Sequence, residues 1–205
     1  MNINGIIISA GFSKRMDNFK PLAIFKGNTF IHNIILKLNT ICDQIIIVTG
    51  YKREELKNEI IKDLTKDKYA SIIKKIDFVY NANFNKGMFG SIQAGISKHD
   101  NSEWVLLHQV DQPGLPQKFY IDFISQINNE YNWIQPSFKN KYGHPILIKK
   151  SLYNLILDER IESNLGIISK NKKIKKKIWD CNYKEILQDI DTNEDYLNIL
   201  KSKDN

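Results

Sequence analysis

The apolar positions of this chain fall into two alternating rhythms. Short continuous runs, Ile6–Ile8, Ile45–Val48 and Trp104–Leu107, have the length and apolar character of buried strands, and Ile76–Tyr80 reads as a further strand. Between them apolar residues recur at helical spacing. Thr29 can cap a helix with the face Phe30, Ile31, Ile34, Ile35 and Leu38, and Lys52–Thr65 repeats the pattern around Leu56, Ile60, Ile61 and Leu64. Asn81–Gly90 has a loop composition, with a helix starting at Ser91. Pro116 suits the first turn of a helix carrying Phe119, Tyr120, Phe123, Ile124 and Ile127. Strands alternating with helices imply parallel pairing and a three-layer α/β sandwich.

From Trp133 the rhythm changes. Ser137–Gly143 reads as a polar hairpin, His144–Ile148 as a strand and Ser151–Leu157 as a short helix. Lys170–Lys177 reads as a solvated, lysine-rich face. Thr192, with Asp195 three residues on, caps a terminal helix through Leu200. No internal repeat or linker divides residues 1–205, so one domain is expected.

Composition narrows the class. With 205 residues, 42% of them hydrophobic, the chain can bury a core without disulfides or structural metal. Two cysteines, Cys42 and Cys181, form no disulfide framework, which makes the cytoplasm the expected location. No apolar run is long enough to span a bilayer and no secretory pattern opens the chain, so no membrane partner is expected. A net charge of +7 suits anionic ligands. The lysine run lacks interleaved aromatics apart from Trp179, and no nucleic-acid module is present, so nucleic acid is not expected either. The cysteines and histidines have no zinc spacing.

In an open parallel sheet, ligands bind beyond the carboxyl ends of the strands. Three segments lie there: the Ala10–Lys20 loop, the Asn81–Ser91 loop and Asp111. Ala10-Gly11 lets backbone approach a ligand, and Arg15 and Lys20 are spaced to converge on an anion. The same residues also fit a strand followed by an ordinary turn with its cations solvated. Asp111 follows the most hydrophobic strand, where a carboxylate needs a cation, and Mg²⁺ is the natural one; a turn-capping role fits that position equally. Asp189 and Asp191 would share one side if Ile190 lay in a strand. His144, between Gly143 and Pro145, is either structural or part of a site.

Taken together, these segments resemble the MobA-like nucleotidyltransferases, most closely the molybdenum cofactor cytidylyltransferase branch. Ile8–Met16 with Lys20 is similar to L-A-A-G-x-S-x-R-M-G-x-x-K. Asn81–Gly95 is similar to N-x-x-[WF]-x-x-G-M-x-x-S-[LI]-x-A-G, and Val105–Pro113 to the strand and aspartate of a D-x-P element. Gly143–Ile146 matches G-H-P-[VI], and Asp189–Asp195 is similar to D-I-D-T-P-E-D. The motifs keep the family's order across nearly the whole chain. Departures are Asp17 for the glycine after R-M, Asn193 for the proline near the end, and His108-Gln109-Val110 before the aspartate.

The resemblance implies a Rossmann-like fold of the nucleotide-diphospho-sugar transferase (GT-A-like) type with a mostly parallel sheet. It implies Mg²⁺-dependent transfer of a nucleotidyl group from a nucleoside triphosphate to a phosphorylated small molecule. For this branch the donor is CTP, the acceptor molybdopterin or molybdenum cofactor, and the downstream client a molybdoenzyme. Ser9, Ala10 and Gly11 would form the nucleotide loop, Arg15 would hold the β- and γ-phosphates, and Lys20 the α-phosphate. Asp111 and Asp191 would hold the metal. Asn83 and Ser91 would line the base or acceptor pocket, and His144 the acceptor side. Ala10, glycine in the guanylyl branch, would narrow the base pocket toward a pyrimidine. Two rival readings stay open: a sugar- or polyol-phosphate nucleotidyltransferase of the same fold, and a non-catalytic cofactor-binding or insertion protein.

Overall fold

The structure, a computed structural model, describes residues 1–65, 69–98 and 102–201. Its elements in chain order are β1 (Ile3–Ile8), β2 (Ile24–Phe25), β3 (Asn28–Thr29), α1 (Phe30–Leu38), β4 (Gln44–Thr49), α2 (Arg53–Leu64), α3 (Ala70–Ile73) and β5 (Ile76–Tyr80). They continue with α4 (Met88–Ser97), β6 (Trp104–Gln109), α5 (Gln117–Ile124), β7 (Trp133–Phe138), β8 (Lys141–Tyr142) and β9 (Ile146–Lys149). The chain closes with α6 (Tyr153–Leu157), α7 (Leu165–Ile168), β10 (Lys176–Asp180) and α8 (Asn193–Lys201).

One sheet of eight strands runs β10-β7-β9-β6-β1-β4-β5, with β8 paired to β7. β1 pairs in parallel with both β4 and β6, and β4 with β5. β9 is antiparallel to β6 and β7, while β10 returns parallel to β7. The expected mostly parallel three-layer sandwich is therefore present. Period-two alternation builds it: Ile7, Ile47 and Leu106 face one buried cluster with α1, α2 and α5, whereas Ile6, Val48 and Leu107 face a second with α4 and α6. Strands buried on both faces are why these runs are apolar without interruption.

Several boundaries differ from the sequence reading, each for a local reason. β1 begins at Ile3, where Asn4 and Gly5 continue the ladder with β4 and β6. α4 begins at Met88, three residues before Ser91, because Gly87, at φ +118°, reverses the chain into it. Pro116 is the residue before α5, and α5 stops at Ile124, short of Ile127. The lysine-rich segment supplies β10, an edge strand whose Lys176 and Lys177 lie over Trp133 and Tyr131. α3 and α7 carry no strong periodicity and were not expected from the pattern. Asp189, Ile190 and Asp191 form no strand, so the shared face expected for the two carboxylates is absent.

Candidate active site

β1 is the strand from which connections leave in both directions, with β4 on one side and β6 on the other, and the main cleft opens beyond its carboxyl end. The cleft has a volume of about 450 Å³. Ser9 extends the ladder, its N–H and hydroxyl both donating to the Val48 carbonyl at 3.1 and 2.8 Å. Beyond it the chain leaves the sheet. The Ala10 carbonyl accepts from Tyr51 N–H at 3.0 Å, an approach only glycine permits at position 50, where a Cβ would lie 2.6 Å from that oxygen. A Cβ on Gly11 would meet no protein atom within 4 Å and Gly11 lines the cleft, so a side chain there would occupy only ligand space.

The loop is fixed at three points. Met16 is buried in the first core cluster, while its neighbour Arg15 is exposed. Ser13 adopts a left-handed φ of +56°, and its carbonyl accepts from Met16 N–H at 3.0 Å. Its hydroxyl accepts from Lys20 N–H at 3.0 Å, closing the loop on itself. Lys20 is thereby held in the cleft with its side chain 12% exposed, against 66% for Arg15.

β6 delivers the acidic side. Asp111 follows it, and the Asp111 carbonyl accepts from Ile190 N–H at 3.0 Å, which brings the C-terminal segment alongside. Asp191 then accepts from Lys20 Nζ at 2.7 Å and pairs with Arg15 at 2.8 Å. Burial alone would raise the Asp191 carboxyl, but the bonded Lys20 ammonium and the Arg15 guanidinium hold it below the ordinary carboxylate range. Asp111 is different. Burial pushes it up to about 6; Lys20, 3.9 Å away, opposes this, and Asp189 and Asp191 add to it.

The remaining expected residues divide. Ser91 is buried, lines the cleft and accepts from Asn81 Nδ2 at 2.9 Å. Asn83 is exposed and does not line the cleft; its N–H donates to Asn81 Oδ1, so Asn81 holds this loop and Asn85 reaches the cleft instead. Ala10 is 2% exposed, packs in the core with Ile6, Ile8 and Val48, and is not among the residues that line the cleft. His144 is not part of the cleft lining; its backbone meets residue 186, and burial lowers its pKa with Asp189 opposing. Gly143 is required by packing, since a Cβ would lie 2.5 Å from the Ile186 carbonyl. Lys14, without a role in the sequence reading, lines the rim with its ammonium 4.9 Å above the Phe12 ring. Phe12 and Phe84, centroids 5.0 Å apart, add an aromatic wall that helical or strand periodicity gave no means of finding.

The arrangement suits a polyphosphate chain: two cations and open backbone at Gly11 on one side, a buried carboxylate opposite. The Asp111 Oδ1 atom is buried with no hydrogen-bond partner among the described residues, an acceptor state that fits a divalent cation. No group of three or more His, Cys, Asp or Glu that could hold a metal is found among the described residues, so phosphate and water would complete its shell. Both Asp191 oxygens are paired, one with Lys20 and one with Arg15. Asp189 is held by Gln112 Nε2 at 2.7 Å.

Comparison with known proteins bears on this geometry. A probable molybdenum cofactor guanylyltransferase of Bacillus cytotoxicus is 22% identical over 215 residues, covering 98% of both chains. Two solved structures share the fold at 16% identity, each with a TM-score of 0.77. One is a nucleotidyl transferase from Methanothermobacter thermautotroptrophicus, covering 98% of this chain and 99% of its own. The other is a 4-diphosphocytidyl-2C-methyl-D-erythritol synthase from Anaerococcus prevotii, covering 100% and 96%. The family model of the MobA-like NTP transferase domain matches residues 5–174. The chain therefore belongs to the MobA-like NTP transferase family and is a nucleotidyltransferase.

Proposed function

We propose that the protein transfers a nucleoside monophosphate from a nucleoside triphosphate to a phosphorylated small molecule, with molybdopterin or molybdenum cofactor as the acceptor class and pyrophosphate as the product. The observation that carries this reading is the meeting of Arg15, Lys20 and Asp111 around one cleft at the end of β1. A terminal phosphate oxygen of the acceptor attacks the α-phosphorus. The bond to the oxygen bridging the α- and β-phosphorus breaks, and pyrophosphate carries away the electron pair. No covalent enzyme intermediate is needed, so catalysis is positioning and charge neutralisation. Lys20, desolvated and tied to its own loop, holds the reacting phosphate, while exposed Arg15 swings onto the β- and γ-phosphates. Asp111 and Asp191 would hold Mg²⁺, which when bound offsets the charge growing on the phosphate oxygens. With two buried, unpaired cysteines, we assign the protein to the cytoplasm.

CTP is the donor we favour, on the likeness of Ser9-Ala10-Gly11 to the cytidylyl loop. GTP is the second reading, supported by the name of the Bacillus relative and by the burial of the Ala10 methyl away from the cleft. Calorimetry with CTP, GTP and ATP, each with Mg²⁺, separates them. Tightest binding of CTP supports the cytidylyl assignment. Tightest binding of GTP replaces it, and no binding of any triphosphate refutes the nucleotidyltransferase reading of this cleft.

A further inference from the structure

Two departures from the motifs this chain resembles lie 176 residues apart in sequence and touch in the structure: Asp17 N–H donates to Asn193 Oδ1 at 2.9 Å. A proline at position 193 would offer no such acceptor. The contact joins two others between the phosphate loop and the C-terminal segment, Arg15–Asp191 at 2.8 Å and Lys20–Asp191 at 2.7 Å. That segment is itself anchored. Thr192 Oγ1 accepts from Asp195 N–H at 3.1 Å, and the Asp195 carboxylate accepts from Thr192 N–H at 2.8 Å, a reciprocal cap at the start of α8. Tyr196, one turn on, donates to the Ile24 carbonyl at 2.8 Å and packs edge-on against Phe30. The segment also lies beyond residue 174, where the family match ends. We propose that Asn193 is a positioning residue: its side-chain carbonyl clasps the phosphate loop to α8 and keeps Arg15 and Lys20 facing the cleft before a nucleotide arrives. The exposed loop tip gains an ordering contact that its own turn, closed at Ser13 and Lys20, does not provide at Asp17.

The position allows a clean test, which rests on the nucleotidyltransferase reading for only one of its two arms. Asn193 is the first residue of α8, where proline fits a helix and the missing N–H has no helical partner to lose. Thr192 lies just before the helix, where the residue preceding a proline is free of the helical conformation that proline disfavours. Asn193→Pro therefore removes the clasp while leaving the melting temperature unchanged or higher. The structure-only arm is hydrogen exchange of residues 14–19 without nucleotide: faster in Asn193→Pro, and restored in Asn193→Asp, which keeps an acceptor oxygen. The functional arm is calorimetry with Mg²⁺ and both CTP and GTP. The Kd should rise about three- to tenfold in Asn193→Pro, the scale of one hydrogen bond, and recover in Asn193→Asp. Unchanged exchange in Asn193→Pro, or unchanged Kd despite faster exchange, overturns the positioning role. Failure of Asn193→Asp to restore both also overturns it. A wild-type protein that binds neither nucleotide refutes the functional reading instead, and the exchange arm still decides the clasp.

Discussion

Lys20 and Lys14 sit six residues apart in one loop, and their surroundings assign them opposite weights. Lys20 is 12% exposed, hydrogen-bonded to Asp191 and 3.9 Å from Asp111, whereas Lys14 is exposed above Phe12 at the rim. A desolvated cation on a reacting phosphate contributes on the order of 2–4 kcal/mol to the transition state, so Lys20→Ala should lower kcat/KM by about two orders of magnitude or more. Lys14→Ala should stay within about fivefold, the scale of an exposed cation over a ring. Steady-state kinetics of the two variants checks the ranking, and equal small effects would remove Lys20 from the reaction. Arg15 and Met16, adjacent in the chain, divide between surface and core: Met16 is buried in the first core cluster, while the Arg15 side chain is exposed. That division was not visible in the sequence, where the pair reads as one motif.

The elements were legible wherever burial imposed a period. The three central strands β1, β4 and β6 and the helices α1, α2 and α5 announce themselves through runs and faces that match both buried clusters, and β5, at the sheet edge, through a partly buried run. β10 did not, because an edge strand beside solvent keeps its lysines and hides its pairing with β7. The end of β6 was also missed, since His108 is polar yet fully buried. It survives there by complete pairing: Nδ1 donates to the Gln109 carbonyl at 2.6 Å and Nε2 accepts from the Tyr120 hydroxyl at 2.8 Å. Burial, with the Lys37 and His144 charges adding, lowers its pKa from 6.5 to about 3 despite the Gln109 carbonyl. The unfolded imidazole takes up a proton that the folded one refuses. The contribution is therefore fully present above about pH 6.5 and is lost as pH falls toward 3, by about 1 kcal/mol per pH unit. Urea unfolding between pH 4 and 7 should show that slope, and His108→Gln, which keeps an acceptor for Tyr120, should flatten it. An identical slope in the variant would separate His108 from the acid sensitivity.

At the scale of the whole molecule, sequence order and spatial order meet only at the cleft. Residues 9–20, 84–91, 109–111 and 191 are far apart in the chain and adjacent beyond the end of β1, because the sheet puts β6 and β4 on either side of it. The motifs could be read as a set, but not their division of labour. Asn81 holds the loop that Asn83 was expected to serve, and Asp191 is neutralised by the cations it was expected to work beside. Those facts depend on which loops fold back, and no periodicity encodes that. Among the described residues no helix is long and apolar enough to cross a membrane. The central claim is that the cleft joins a nucleotidyl group to a phosphorylated acceptor through Asp111. Mass spectrometry of reactions holding the purified protein, Mg²⁺, CTP or GTP, and molybdopterin, a polyol phosphate or a sugar phosphate tests it most directly. The account predicts one acceptor heavier by a single nucleotidyl group (a nucleoside monophosphate less one water), one pyrophosphate released per product, and almost no product with Asp111→Asn although that variant still folds. Binding of triphosphate without any acceptor gaining a nucleotidyl group, or full product formation by Asp111→Asn, would contradict it.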